Sequence, residues 1–259
     1  MEIHDLPFED YEDLPGWNWS RLKHANKSAA HAAKAWQSNE EKNSDAVLLG
    51  RAVHCLVLTP NRYNDEFYTY VHVDRRTSAG RQAHAEAVAQ AGAKIMIPMN
   101  LHEKAIAMCN AIESHPIAKE LIGNAKTEVV YTWEYKNVPL KARVDIIGEN
   151  ERGLYIADIK TCESAHCLDF PKYARKMMYA EQVVFYGLGV EANKSSTVAS
   201  KYIIAVEREE PYCVAVYSIC SDTESAALEM VMKCCDTVAL WTGKDYYLWD
   251  GYPSVYYTL

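Results

Sequence analysis

Apolar and polar residues alternate with period two through the middle of the chain, and recur every three to four residues on either side of it. The stretch Glu128–Tyr135 sets Val129, Tyr131, Trp133 and Tyr135 on one face of a strand and Glu128 on the other. Lys141–Ile147 reads as a second strand. The apolar run Leu154–Ala157, continued to Thr161, reads as a third, turned back by the polar, glycine-bounded segment Gly148–Gly153. Two further strands are predicted at Lys201–Glu207 and Cys213–Ile219. Helical spacing predicts helices over Asn18–Gln37, where Trp19, Leu22, Ala25 and Ala29 share a side, and over Ser78–Ala91, Asn100–His115, Phe170–Val190 and Thr223–Thr242. Ser44 is placed to cap another helix, which ends at Leu58 before Thr59 and Pro60. That helix is apolar nearly all round, so burial is expected. Residues 60 to 80 read as a loop. The expected class is α/β (α+β), a central mixed sheet flanked by helices.

A chain of 259 residues can bury a sizeable core in one domain. The expected division is a mainly helical part over 1–125, the sheet and its following helix over 126–220, and a helix with an aromatic tail over 221–259. Tyr246, Tyr247, Trp249, Tyr252, Tyr256 and Tyr257 make that tail, expected to dock on the core or on another subunit. No apolar run is long enough to span a bilayer, and the acidic start Met1–Asp5 is unlike a signal peptide, so a cytoplasmic protein is expected. The eight cysteines contain no Cys-x-x-Cys pair, which weakens a zinc reading and predicts free, mostly buried thiols.

Chemistry concentrates on the strands. Asp158 and Lys160 lie two apart and share a face, and Arg143 shares a face with Asp145 on the neighbouring strand. Convergence of these groups would hold a divalent cation beside an ammonium, a pairing suited to phosphodiester hydrolysis. Glu128 is the candidate third acidic ligand. Hard oxygen ligands favour Mg²⁺, with Mn²⁺ as substitute, over Zn²⁺. His54, in the middle of the buried helix, is a candidate ligand or orienter. Gln182 and Tyr186, four apart on one helix, can hydrogen-bond phosphate or water. The net charge of −8 argues against a globally basic surface and for a localised DNA groove. Arg21, Lys23 and Lys27 form one basic group, Arg75, Arg76 and Arg81 another, and Lys172, Arg175 and Lys176 a third. Neither a Ser/His/Asp nor a Cys/His constellation is visible, and no Walker-type loop occurs.

Several of these segments together resemble the PD-(D/E)xK nuclease superfamily, and in particular the RecE-type (exonuclease VIII-like) phage recombination exonucleases. Val144-Asp145 followed by Asp158-Ile159-Lys160 is similar to the core motif, with Val144 where the superfamily's nominal proline would stand. Gly50-Arg51-Ala52-Val53-His54 resembles a helical Gly-x-x-x-His motif, and Gln182 to Tyr186 a Gln-x-x-x-Tyr helix. Arg75-Arg76-Thr77-Ser78-Ala79-Gly80-Arg81 is similar to a RecE segment that usually ends in lysine. Glu207 to Tyr212 and Trp249 to Tyr252 resemble late motifs of that group. The resemblance implies a restriction-endonuclease-like core. It also implies metal ligands Asp145, Asp158, the Ile159 backbone carbonyl, Glu128 and His54, with Lys160 acting on the attacking water and Gln182 and Tyr186 positioning substrate. It implies a 5′→3′ exonuclease on double-stranded DNA ends that leaves 3′ single-stranded tails for recombination. Such an enzyme would form a homotetrameric ring and work beside a single-strand annealing protein. Arg21, Lys23, Arg75, Arg76, Arg81 and Arg143 are the candidate DNA contacts. Two alternatives stand beside this reading: a Cas4-like or RecB-like nuclease preferring single strands, and an inactive fold used for DNA binding or assembly.

Overall fold

The computed structural model describes residues 1–38 and 44–241, with Trp241 by its backbone alone. In chain order the elements are β1 (Glu2–Ile3), α1 (Phe8–Asp13), α2 (Trp19–Leu22), α3 (Ala29–Gln37), α4 (Asp45–Leu58), α5 (Tyr63–Glu66), β2 (Phe67–Tyr70), α6 (Ser78–Ala91), β3 (Ile95–Pro98), α7 (Met99–Ser114) and α8 (Pro116–Gly123). Then come β4 (Lys126–Tyr135), β5 (Val138–Asn150), β6 (Gly153–Cys162), α9 (Phe170–Met177), α10 (Tyr179–Asn193), β7 (Ser200–Glu207), β8 (Val214–Ser218) and α11 (Ser221–Trp241). Six strands form a mixed sheet in the order β1-β4-β5-β6-β7-β8. Every neighbouring pair is antiparallel except β6 and β7, which run parallel because α9 and α10 carry the chain back between them. This is the α/β class the pattern predicts.

Helices cover both faces of the sheet. On one, Trp19 and Leu22, then Val184 and Phe185 of α10 and Val231 and Val238 of α11 pack against Val129, Tyr131, Val144 and Ile156. On the other, Leu49 and Val53 of α4 with Met108 and Ile112 of α7 pack against Ile146, Ala157, Ile159 and Ile204. These layers fix where the sheet ends open. Five of the eight free cysteines, Cys55, Cys109, Cys162, Cys234 and Cys235, are buried, as expected.

Local departures from the expected elements have identifiable causes. The helix expected over Asn18–Gln37 is broken, because Ser28 is extended and its side chain accepts from the His31 backbone N–H, capping a new helix. The expected Phe170–Val190 helix is likewise two helices, joined by an elbow at Met178 (φ 60°, ψ 47°). The supposed loop 60–80 holds α5 and β2, and β2 pairs in parallel with β3 in a separate two-stranded sheet. The segment Pro116–Gly123 is an unexpected helix, started by Pro116 and capped by the His115 ring. The turn expected at Gly148–Gly153 tightens to Glu151 and Arg152, since β5 runs on to Asn150. On α4, Val47 is exposed, so that helix is not buried all round. Thr242, the Asp245–Leu259 tail and the Trp249–Tyr252 motif lie outside the described residues.

Candidate active site

The strand alternation that builds the sheet breaks at one level. Val129 and Val144 face each other in the first core, yet Ile146, whose partner is Thr127, packs in the second. Thr127 itself donates to the Leu58 carbonyl of α4. Between these pairs the constant register sets Glu128 across from Asp145, and Glu128 has φ 56°. A side chain in that left-handed conformation turns the strand's faces over. Beyond the Ile146–Ala157 pair β5 and β6 also leave their ladder, and the Asp145 Oδ2 accepts the Ile159 N–H at 3.0 Å in its place. The carboxylates are thus presented where β5 and β6 part, beside the inverted residue of β4.

Around that opening the chain gathers most of the expected site residues. Asp158 is 2% exposed, and its Oδ2 lies 2.6 Å from the Lys160 Nζ. From α10, Gln182 donates to Asp158 Oδ1 at 3.1 Å and to the Tyr186 hydroxyl at 2.7 Å. Across the sheet, α4 brings His54, whose Nε2 lies 2.9 Å from the Ile159 carbonyl and whose Nδ1 lies 3.5 Å from Asp145 Oδ2. Gly50, one turn earlier, would set an added Cβ 3.5 Å from the Thr161 hydroxyl, so the helix rides close over β6. Arg143 pairs with Glu128.

Electrostatics follow from burial. Removal from water pushes the Glu128 carboxyl up to about 7, aided by Asp145 and opposed by Arg143. Burial likewise pushes Asp158 up to about 6, although Lys160 pulls the other way. The Tyr186 phenol is raised for the same reason and stays a neutral hydroxyl. Ligand atoms of His54, Glu128 and Asp145 lie within 4.8 Å of one another. A carbonyl only accepts, so a neutral His54 carries its proton on Nε2. Its Nδ1 lone pair then faces the Asp145 oxygen, a juxtaposition that a cation relieves. Oxygen-rich donors and the mutual repulsion of the carboxylates fit a hard divalent ion.

Other expected residues lie elsewhere or are spent differently. Arg143, expected as a DNA contact, is largely buried between Glu128 and the Phe8 ring, 5.4 Å away. Arg76 holds Asp74 with its guanidinium, and Arg81 donates to the Arg76 carbonyl. Arg75 is exposed beside them. Arg21 pairs with Glu12 at 3.5 Å and lies over Trp36, while Lys23 sits in the short 3₁₀ turn that follows α2.

Three contributions escaped the sequence reading. Phe8 lies under both Arg51 and Arg143. Lys141, fully buried, donates to the carbonyls of Tyr11, Glu12 and Leu14 at 2.8 Å each and so pins the segment that carries Phe8. The Tyr179 ring lies 4.9 Å from the Lys160 Nζ. Only a lysine amid apolar strand positions hinted at the second of these; the others depend on the fold.

One solved structure shares this architecture. The crystal structure of a candidate exonuclease from Eubacterium rectale superposes with a TM-score of 0.62 at 16% identity, covering 93% of this chain and 89% of that one. The solved structure of SSO0001, 17% identical over 86% of this chain and 87% of that one, superposes with a TM-score of only 0.33 and bears no weight. No curated protein matches the sequence. Among the described residues no helix is long and apolar enough to cross a membrane. The model of the PDDEXK-like domain of unknown function (DUF3799) matches residues 18–244, and the chain belongs to that family.

Proposed function

We propose that the protein is a Mg²⁺-dependent exodeoxyribonuclease that hydrolyses phosphodiester bonds of double-stranded DNA from its ends. The observation that carries this reading is the buried Asp158–Lys160 pair set beside the His54, Glu128 and Asp145 trio. Asp145, Asp158, Glu128, His54 and the Ile159 carbonyl would hold the ion. Bound there, such an ion would supply a more acidic water and offset the charge of the phosphate. Lys160 donates to the attacked phosphate or to the nucleophilic water and stabilises the charge that develops. Gln182 commits its amide nitrogen to Asp158 and Tyr186, so its task is to hold that carboxylate in one orientation. Phe8, backed by the Lys141 clamp, walls the opening and keeps Arg143 on Glu128.

The finer reading rests on resemblance to RecE-type exonucleases: 5′→3′ polarity, 3′ tails for recombination, and a homotetrameric ring in the cytoplasm of a host cell. A net charge of −8 gives it physical support, since enclosure can retain DNA that a monomer would hold weakly. A partner that anneals the exposed single strand would complete the reaction sequence. Duplex labelled at either the 5′ or the 3′ terminus tests the proposal. Mg²⁺-dependent release of the 5′ label as mononucleotide, with the 3′-labelled strand lasting longer, is expected. Failure to cleave any DNA end with Mg²⁺ or Mn²⁺ would overturn the reading, and light scattering showing a monomer would remove the ring.

A further inference from the structure

Beside the proposed site, α9 shows two sharply different faces. Phe170, Ala174 and Met177 turn inward, with Phe170 stacked on Tyr217 at 4.8 Å. Lys172, Arg175 and Lys176 fall together on the outward face, by the helical spacing of three and four residues. All three are exposed, and none of their side chains forms an ion pair among the described residues. That sets them apart from Arg21, Arg76 and Arg143, each held by a carboxylate.

Tyr173 stands at the border between these faces and is 40% exposed. Its ring meets Tyr179 edge to face at 5.9 Å and 79°. Tyr179 in turn lies 4.9 Å from the Lys160 Nζ, which is 2.6 Å from Asp158. An exposed aromatic ring is therefore two contacts from the proposed reacting group, flanked by unpaired cations. The elbow at Met178 fixes this relation, because α10 on its far side carries Gln182 against Asp158, and Trp19 donates to the Met178 carbonyl at 3.2 Å.

We infer that the outer face of α9 binds the unpaired strand leading to the active site, with Tyr173 stacking on a base and Lys172, Arg175 and Lys176 contacting successive phosphates. The inference rests on the nuclease reading for its direction, but its chemistry is general. Single-strand grooves combine a basic track with aromatic platforms, and stacking tolerates any sequence because every base has a π-face. A duplex end must be unpaired before one strand can enter so enclosed a site, so a strand-specific surface belongs next to it.

Fluorescence anisotropy with a labelled oligothymidylate in chelator, where no cleavage occurs, tests the surface on the full chain. Lys172→Ala, Arg175→Ala and Lys176→Ala combined should flatten the slope of log affinity against log salt by about 2, at roughly 0.7 for each phosphate no longer neutralised. Tyr173→Ala should weaken binding by about tenfold, within the range for removing one base stack, while Tyr173→Phe keeps wild-type affinity. These positions are on the surface, and melting curves matching wild type verify the fold. An unchanged salt slope in the triple variant, or Tyr173→Phe as weak as Tyr173→Ala, overturns the inference. Cleavage separates the two readings. A wild type that digests DNA, with variants unaltered in KM, defeats the surface alone. A wild type that never cleaves yet binds through α9 defeats the nuclease reading and supports the surface.

Discussion

Two clusters pair carboxylates with cations, and burial makes them opposites. At the strand opening, Asp158 with Lys160 and Glu128 with Arg143 have side chains no more than 16% exposed. Before α6, Arg76 grips Asp74 with 92% and 49% exposure. In the first cluster burial outweighs the cation and both carboxyls rise. In the second the hydrogen bonds from Arg76 outweigh the slight burial and hold Asp74 below its usual range. An exposed pair contributes little to stability and is screened by salt. A buried one gives weak support to the fold because desolvation offsets its attraction. The cost at the strand opening therefore points to chemistry as the reason those charges are there.

The largest effect should come from breaking the buried pair. Lys160→Ala or Asp158→Asn should lower the cleavage rate by at least about 10²-fold, the scale for removing one group that stabilises developing charge. Asp74→Ala should leave the rate within twofold. Gel assays with excess Mg²⁺, on variants shown to fold by circular dichroism, measure both.

Acidity gives the next contrast. Glu128 is raised from 4.5 to about 7 and Asp158 from 3.8 to about 6, so each favours folding below its unfolded value and loses that contribution as pH rises through its folded one. The chelated protein should melt several degrees lower near pH 8 than near pH 5. Excess Mg²⁺ should close most of that gap, since a bound cation removes the cost of ionising both groups. Calorimetry that finds an equal metal effect at both pH values would contradict the assignment.

Smaller consequences distinguish support from grip. His54→Ala should raise the metal concentration needed for half-maximal rate by about 10–100-fold, as for groups that orient or complete a metal site. A lower melting temperature with unchanged metal dependence would make His54 a core residue instead. Arg75→Ala with Arg76→Ala should leave the melting curve essentially unchanged. If those arginines touch DNA, KM should rise and the salt slope should flatten with kcat preserved. An unaltered salt slope would assign them to a solvated turn.

The legible parts of the molecule were those governed by periodicity and spacing. Alternation located β4 to β8, and two-residue and four-residue offsets put Asp158 with Lys160 and Gln182 with Tyr186. What escaped was decided by single backbone states or by distant contacts. Met178 has no glycine to announce its left-handed elbow, and Glu128, read as the first residue of a regular alternation, turns its strand over. Thr127 therefore reaches α4 although it matches Val129 in parity. Arg143 shares a face with Asp145 by parity alone, but the reversed faces and the Phe8 wall give it to Glu128. The β2–β3 pairing joins residues 28 apart around a helix, and nothing local in Phe67–Tyr70 required it.

Cation binding by the strand-opening carboxylates is the property on which cleavage depends. Titration with Mn²⁺ near pH 8, reading the free ion by electron paramagnetic resonance, measures this without any substrate. Saturable binding in the wild type, abolished in Asp145→Asn while the melting curve stays cooperative, is the predicted result. Binding that persists unchanged in Asp145→Asn, or wild-type DNA digestion at Mn²⁺ concentrations where no ion is bound, would contradict it.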